Sequence, residues 1–512
     1  MADRPNIIFI MADDMGYGDV GCYNPNTKIP TPNMDRLAAQ GVRFTDAHSP
    51  STVCTPSRYG VLTGRYCWRS RLKRSVLFGY EPPLIEKGRL TVASMLKDVG
   101  YHTAAVGKWH VGLGYSTKPG KQIDFGAPLP WPEATREEEE SIDFTKPLKG
   151  GPTELGFDYF FGTSGCSTAQ PPYGFIENDR FIEPPSVYRA ERLWLSRRPG
   201  MTSIDWEDSE PDPIFARKAV QYIEERATKK QPFFLYLCPS SPHDPCVDEV
   251  VPEFARNTSN AGPRGDMVWL VDWMVGEVMD ALDRTGAADN TLILVTSDNG
   301  ALPGDLMPAP RAIDAAMVDG ELEAPWIMET ERVNLAFNLY GHKSCGDWRG
   351  YKGHIWEGGH REPLIARWPG KTKPDTVCDN LVGLTDLLAT CAAINDIPLA
   401  KGTPEDSVNI LPLLLGEQVA EPIRSDLIHH SGAGFFSIRQ GPWKCVFDTK
   451  GHGWFSSPPV AGSPGQLYNI EDDPTERHDL WNERPDVVTS LANLLKIRQG
   501  HSTHQDDQSR SL

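Results

Sequence analysis

The chain has 512 residues, enough for one large domain and a smaller one. Its 39% hydrophobic and 23% charged residues are those of an ordinary globular protein, and a net charge of −18 argues against nucleic acid as the main partner. No apolar run approaches the roughly 18–20 residues of a membrane span, so no membrane partner is expected either.

In chain order, "NIIFIMA" is a continuous apolar run, the pattern of a strand covered on both faces. "PNMDRLAAQG" follows as a helix, with Asn33 as a cap and Gly41 as its stop. "RLTVASMLKDVG" repeats the arrangement from Thr91, with Val92, Met95, Leu96 and Val99 on one face, and "YHTAAVGKWH" is the next strand. Residues 124–212 are rich in Pro, Gly and charge, including the run Glu137–Glu140, which is expected to be a solvated surface, and are expected to be irregular. Regular structure resumes with the helix "PIFARKAVQYIEERATKK", the strand "PFFLYLC", the helix "DMVWLVDWMVGEVMDALDRTG" and the strand "TLILVTSD". Residues 301–340 read as a second insertion, of the kind that builds lids or specificity loops. Near 425 the style changes. "FFSIRQGPWKCVFD" reads as an antiparallel hairpin, "GQLYNIEDDP" as a further strand and turn, and 484–498 as a closing helix.

The expected fold is therefore α/β, a large and mostly parallel sheet between helices, spanning 1–424, followed by a smaller α+β unit over 425–512 with an antiparallel sheet. The ten cysteines are scattered, with no C-x-x-C and no disulfide framework. "MADRPNIIFIMADD" lacks a charged-then-apolar leader, so as written the chain is expected in the cytoplasm, or in the periplasm or outside the cell if a leader was removed.

Four strands end in polar groups at their carboxyl ends, where open α/β sheets bind ligands. These are Asp13-Asp14, Asp298-Asn299-Gly300, Lys108 with His110, and His243. Asp13, Asp14, Asp298 and Asn299 offer only oxygen ligands, a set that suits Ca²⁺ or Mg²⁺ better than zinc. Arg58, Lys108, His110, His243 and Lys352 are cations or donors suited to a tetrahedral oxyanion. A metal cluster beside a basic one points to transfer of a phosphoryl or sulfuryl group. Cys54 is the nucleophile position: Pro56 suits the first turn of "PSRYGVLTGR", which places Cys54 just before a helix N-terminus able to stabilise a thiolate or oxyanion.

"CTPSRYGVLTGR" resembles the C-x-P-x-R-x-x-x-x-T-G signature of the type I sulfatases, whose cysteine is oxidised to formylglycine. "GYHTAAVGKWH" resembles their second signature. "PNIIFIMADDMGYGDVGCY", "TSDNG", "YKGHIWEGGHREP" and "LYNIEDDPTERHDL" are similar to further family segments, in the family's order, from about residue 4 to 495. The resemblance implies an alkaline-phosphatase-like fold and hydrolysis of sulfate monoesters.

By the same resemblance, Asp13, Asp14, Asp298, Asn299 and the modified residue 54 hold the metal, usually Ca²⁺, with Mg²⁺ the alternative. One hydroxyl of hydrated formylglycine attacks sulfur, and Asp298 takes its proton. Arg58 steadies the modified side chain, and Lys108 and Lys352 hold sulfate oxygens. His243, helped by Lys352, protonates the leaving oxygen, and His110 deprotonates the second hydroxyl, which expels sulfate. The implied partners are a formylglycine-generating enzyme and a sulfated small molecule, aryl sulfates included. The composition of the two irregular stretches, 124–212 and 301–340, favours a sulfated saccharide as substrate. His342, Arg349, Tyr351 and His360 flank the Lys352 motif, where a polar loop role is expected and lining of the substrate pocket is the alternative. Trp131, Trp194, Trp326 and Trp348 read first as core anchors and are otherwise available to stack on a sugar. The alternatives are a phosphate or phosphonate ester hydrolase of the same superfamily and a catalytically silent carbohydrate-binding relative. Exo or endo action is left open.

Overall fold

Ile7, Phe9 and Met11 of the strand Asn6–Ala12 point into one core, and Ile8, Ile10 and Ala12 into another. The period of two thus explains the unbroken apolar run: both faces of this strand are covered. Burying one such side chain stabilises by about 1.5–3 kcal/mol. The protein is described by a computed structural model over residues 4–121, 134–190, 198–302, 340–451 and 462–500.

Among the described residues the main sheet has ten strands. Its parallel centre runs Thr291–Ser297, Asn6–Ala12, Phe233–Cys238, His102–Lys108, Tyr159–Thr163. Leu364–Arg367 continues it antiparallel on one side, followed by Val42–Phe44 and Thr376–Cys378. The short strands Ile176–Glu177 and Arg180–Phe181 close the other side. Helices Pro32–Ala39, Pro211–Ala227 and Gly262–Thr285 cover one face, and Cys54–Thr63, Val92–Asp98 and Leu387–Ile394 the other. The expected α/β architecture is what the chain forms.

Two local expectations need correction. The first helix starts at Pro32, with Thr31 in the cap position, because proline suits the first helical residue. Asn33 lies inside it, donating its backbone N–H and side-chain amide to Asp272 of the neighbouring helix. The stretch expected to be irregular also supplies a sheet strand, Tyr159–Thr163, paired in parallel with His102–Lys108. Thr91 caps its helix as expected, accepting from the Ser94 N–H while the Ser94 hydroxyl accepts from the Thr91 N–H.

A second sheet of four antiparallel strands, Leu427–His430, Phe436–Gln440, Trp443–Val446 and Gln466–Asn469, packs under the helix Pro485–Gly500. Tyr66 and Trp68 enter its core from the larger unit. Backbone bonds from Thr52 to His430, from Gly353 to Thr52 and from Gly432 to Gly353 tie this sheet to the segments that carry Cys54 and Lys352. All ten cysteines are free. No helix among the described residues is long and apolar enough to cross a membrane.

Candidate active site

Strand register aligns the polar ends along one sheet edge. Ala12 lies beside Ser297, Gly107 beside Cys238, and Lys108 beside Thr163. Asp13-Asp14 therefore leaves the sheet next to Asp298-Asn299, and the loop carrying His243 leaves beside Lys108. All ten predicted site residues are buried.

The carboxylates and cations interlock. Lys108 Nζ lies 2.5 Å from Asp13 Oδ2, and Lys352 Nζ 2.7 Å from Asp14 Oδ2. Arg58 donates from Nε and Nη2 to Asp298 Oδ2 at 3.0 and 2.8 Å, and from Nη1 to the Lys108 carbonyl at 3.1 Å. Asn299 Nδ2 donates to Asp14 Oδ1 at 2.7 Å. Although burial opposes the charge, Lys108 and His243 hold the Asp13 carboxyl below its ordinary range. Burial and the Asp13 charge push Asp298 up instead. Two of the site residues, Asp14 and His110, take left-handed backbone conformations, with φ of 69° and 58°. Such conformations persist only where surrounding contacts over-determine them. Gly300 is required for close approach: a Cβ there would sit 1.9 Å from the Gly358 carbonyl oxygen, in the segment that follows Lys352.

Cys54 is the first residue of the helix Cys54–Thr63 rather than the residue before it, with Val53 as cap. Its Sγ lies 3.4 Å from Asp13 Oδ1. The expected thiolate stabilisation is not found: burial, followed by the charge of Asp298, pushes the thiol up to about 12. The unmodified side chain is thus a poor nucleophile near neutrality.

The two histidines are set for opposite work. His110 Nε2 contacts the Leu77 carbonyl at 2.7 Å, which fixes its proton there, and Nδ1 is buried without a hydrogen-bond partner. Burial, followed by Lys108 and Arg58, holds His110 well below the usual imidazole range. His243 Nδ1 donates to the Asp244 carbonyl oxygen at 2.8 Å and lies 3.0 Å from the Asp244 carboxylate, leaving Nε2 facing Asp14 Oδ2 at 3.8 Å. Against the opposing effect of burial, Cys166, Asp244 and Asp13 hold His243 well above the usual range.

Asp13, Asp14, Cys54 and His243 present ligand-type atoms within 4.8 Å of one another. Asn299 Oδ1 is a buried carbonyl oxygen with no hydrogen-bond partner. Converging carboxylates and an unsatisfied amide oxygen fit a hard divalent cation.

Other expectations fare differently. His342 is buried against Asp19, with Nε2 2.9 Å from Oδ1. Arg349 bonds the Tyr468 hydroxyl and the Glu476 carbonyl, and His360 lies 2.9 Å from Lys444 Nζ, so both face the C-terminal sheet rather than a substrate. Tyr351 is buried beside His354. One face of Trp348 is covered by the Arg361 guanidinium, 4.0 Å from the ring centre. Trp131, Trp194 and Trp326 lie outside the described residues. Cys166, whose Sγ is 3.9 Å from Asp13 Oδ2, went unread because it follows the missed strand Tyr159–Thr163.

A sheet edge that gathers carboxylates, an unsatisfied amide oxygen, cations and a cysteine at a helix start defines a hydrolase for esters of a tetrahedral oxyanion. The chain belongs to the sulfatase family, the Sulfatase family model matching residues 5–397, and is a sulfuric ester hydrolase. It is 31% identical to the N-acetylgalactosamine-6-O-sulfatase of Bacteroides thetaiotaomicron, over 97% of this chain and 93% of that protein. It is 30% identical to human arylsulfatase A, over 97% of this chain and 88% of the relative. A solved Bacteroides thetaiotaomicron structure, described for the metabolism of multiple glycosaminoglycans, superposes with a TM-score of 0.79 at 30% identity, covering 97% of this chain and all of that one.

Proposed function

We propose that this sulfatase removes sulfate from a saccharide, through position 54 in its formylglycine form, and that aryl sulfates serve as simpler substrates. The observation that carries the reading is Cys54 Sγ, 3.4 Å from Asp13, in a site that also holds Lys108, Lys352 and two oppositely tuned histidines. The saccharide class is supported by the relative named for N-acetylgalactosamine-6-O-sulfate chemistry.

Asp13, Asp14, Asp298 and Asn299 would hold Ca²⁺, with Mg²⁺ the alternative; bound there, the ion offsets the carboxylates and lowers the pKa of a hydroxyl at position 54. Oxidised by a formylglycine-generating enzyme and hydrated, Cys54 supplies the hydroxyl that attacks sulfur. Lys108 and Lys352 bind sulfate oxygens, where their charge counters that of the ester. Arg58 keeps Asp298 placed to accept a proton from position 54. His243, charged and oriented through Nδ1, donates from Nε2 to the leaving alcohol oxygen. His110 accepts the remaining hydroxyl proton at Nδ1, the step that releases inorganic sulfate.

Rates on matched aryl sulfate and aryl phosphate esters, followed by a panel of position-defined sulfated sugars including 6-sulfated N-acetylgalactosamine, test the reading. Preference for sulfate, and at least one sugar sulfate turned over with higher kcat/KM than the aryl ester, is expected. Sugar sulfates all no better than the aryl ester would remove the saccharide assignment.

A further inference from the structure

Arg264 lies in the first turns of the helix Gly262–Thr285, with no place in the mechanism above, yet it is 1% exposed. Its Nη2 donates to the backbone carbonyl of Asp14 at 2.9 Å and to Asp19 Oδ2 at 2.7 Å. Nη1 donates to Asp19 Oδ1 and to the Ser344 hydroxyl, each at 2.9 Å. Asp19 is in turn fixed on its other side: Oδ2 accepts from the Gly16 N–H at 2.7 Å, and Oδ1 lies 2.9 Å from His342 Nε2. One planar guanidinium therefore joins three parts of the chain, namely the turn after the strand Asn6–Ala12, the helix Gly262–Thr285 and the segment that leads to Lys352.

The bond to Asp14 is the informative one. Asp14 holds a φ of 69°, a left-handed conformation that costs a residue with a Cβ, though aspartate less than most. Its side chain faces Asn299 and Lys352, so its carbonyl is what remains to be held from behind. The Asp14 N–H is itself within 3.3 Å of Asp298 Oδ1 and the Met15 N–H donates to the Ser297 hydroxyl at 2.9 Å. The first bond holds the peptide before Asp14; in the peptide after it, Ser297 holds the Met15 N–H edge and Arg264 the Asp14 carbonyl edge.

Resting on the assignment of Asp14 as a cation ligand, we propose that Arg264 is a positioning residue for the metal centre: with Asp19 it locks the left-handed turn at Asp14 and so aims the Asp14 carboxylate at the ion. Groups that orient metal ligands typically matter about 10–100-fold in affinity. A lysine lacks the planar fork that lets Arg264 bond the Asp14 carbonyl, both Asp19 oxygens and Ser344 together, so it reproduces only part of this set.

The test is Ca²⁺ titration by calorimetry of the purified full chain, wild type against Arg264→Lys and Arg264→Gln, with thermal unfolding alongside. About tenfold weaker Ca²⁺ binding is expected for Arg264→Lys and up to about 100-fold for Arg264→Gln. At saturating Ca²⁺, KM for an aryl sulfate should stay within about twofold of wild type, since Arg264 touches no substrate group. Asp19→Asn should weaken Ca²⁺ binding in the same direction. If Arg264→Gln fails to fold, Arg264→Lys decides. Wild-type Ca²⁺ affinity in a variant with a lowered Tm would reduce Arg264 to a structural anchor and overturn the proposal. Absence of Ca²⁺ binding in the wild type would instead overturn the cation assignment on which it rests.

Discussion

Arg58 and Asp298 form a one-oxygen fork: both Nε and Nη2 of the guanidinium converge on Oδ2, at 3.0 and 2.8 Å, leaving Oδ1 turned toward the Asp14 N–H. Neither side chain is exposed. The pair joins the helix that begins with Cys54 to the strand end that carries Asn299, so it sets the distance between the nucleophile position and half of the candidate metal ligands.

Removing one partner strands the other charge. Arg58→Ala is expected to lose about 3–5 kcal/mol in urea unfolding, as for other broken buried pairs. Arg58→Lys should recover part of the stability and little of the kcat, because a lysine has no planar fork to hold Asp298 through two N–H groups while bonding the Lys108 carbonyl. Unchanged stability in Arg58→Ala would contradict this account of the fork.

The opposite displacement of the two site histidines sets the pH dependence. His110, held well below 6.5, is neutral at neutral pH and gains its proton only in acid; His243, held well above 6.5, loses its proton only in alkali. The profile of kcat should therefore be a broad plateau, with an acidic limb removed in His110→Gln and an alkaline limb removed in His243→Gln. Each substitution should lower kcat by about 10²–10⁴. The loss in His243→Gln should be smaller on a nitrophenyl sulfate, whose leaving group needs little protonation, than on a sugar sulfate. Equal losses on both would show that His243 is not the proton donor.

A second set of histidines links the segments that carry His48 and His360 to the C-terminal sheet. Lys444 Nζ lies 2.9 Å from His360 Nε2, His360 Nδ1 lies 3.0 Å from His48 Nδ1, and His48 Nε2 lies 2.8 Å from Asp46 Oδ1. One assignment of protons satisfies these three contacts in series, ammonium to imidazole, imidazole to imidazole, imidazole to carboxylate, with both rings neutral; the Ile355 carbonyl, 3.1 Å from His360 Nε2, then receives no proton from it. His429 stacks on His360 with ring centres 3.7 Å apart. Burial first, then neighbouring cations and rings, lowers His48, His360 and His429, and burial takes His430 down to about 4. Because the unfolded chain binds these protons near pH 6.5 and the folded chain does not, stability is complete above 6.5 and falls as pH drops below it. Each such histidine adds about 1.4 kcal/mol per pH unit to the slope. Urea unfolding between pH 7 and 5 should show this slope, reduced by about one proton in His429→Gln. A slope indifferent to that substitution would place His429 outside the effect.

How much of this was legible in the chain depends on the range of the signal. Asp13-Asp14, Lys108 and Asp298-Asn299 were readable because each follows a long apolar strand, and strand ends in a parallel sheet converge. Tyr159–Thr163 was not, since its five residues sit in a Pro- and Gly-rich stretch with no period to count. The three-residue strands Val42–Phe44 and Thr376–Cys378 carry still less pattern. Arg264 and Asp19 are 245 positions apart, and nothing local in either segment announces the contact. His360 could be placed near the Lys352 motif by sequence, but not turned toward Lys444 in a separate sheet. The Cys54 thiol was misjudged for a related reason: the helix start is local and visible, whereas the burial and the Asp298 charge that outweigh it come from the fold.

The central claim is that residue 54 works as formylglycine and not as cysteine. The direct measurement is the mass of the tryptic peptide FTDAHSPSTVCTPSR, residues 44–58, taken without reducing or alkylating reagents from protein co-expressed with a formylglycine-generating enzyme and assayed for aryl sulfate hydrolysis. The account predicts the aldehyde or its hydrate at position 54, with activity rising in proportion to the converted fraction and absent from Cys54→Ala. An intact thiol throughout a fully active preparation would contradict it.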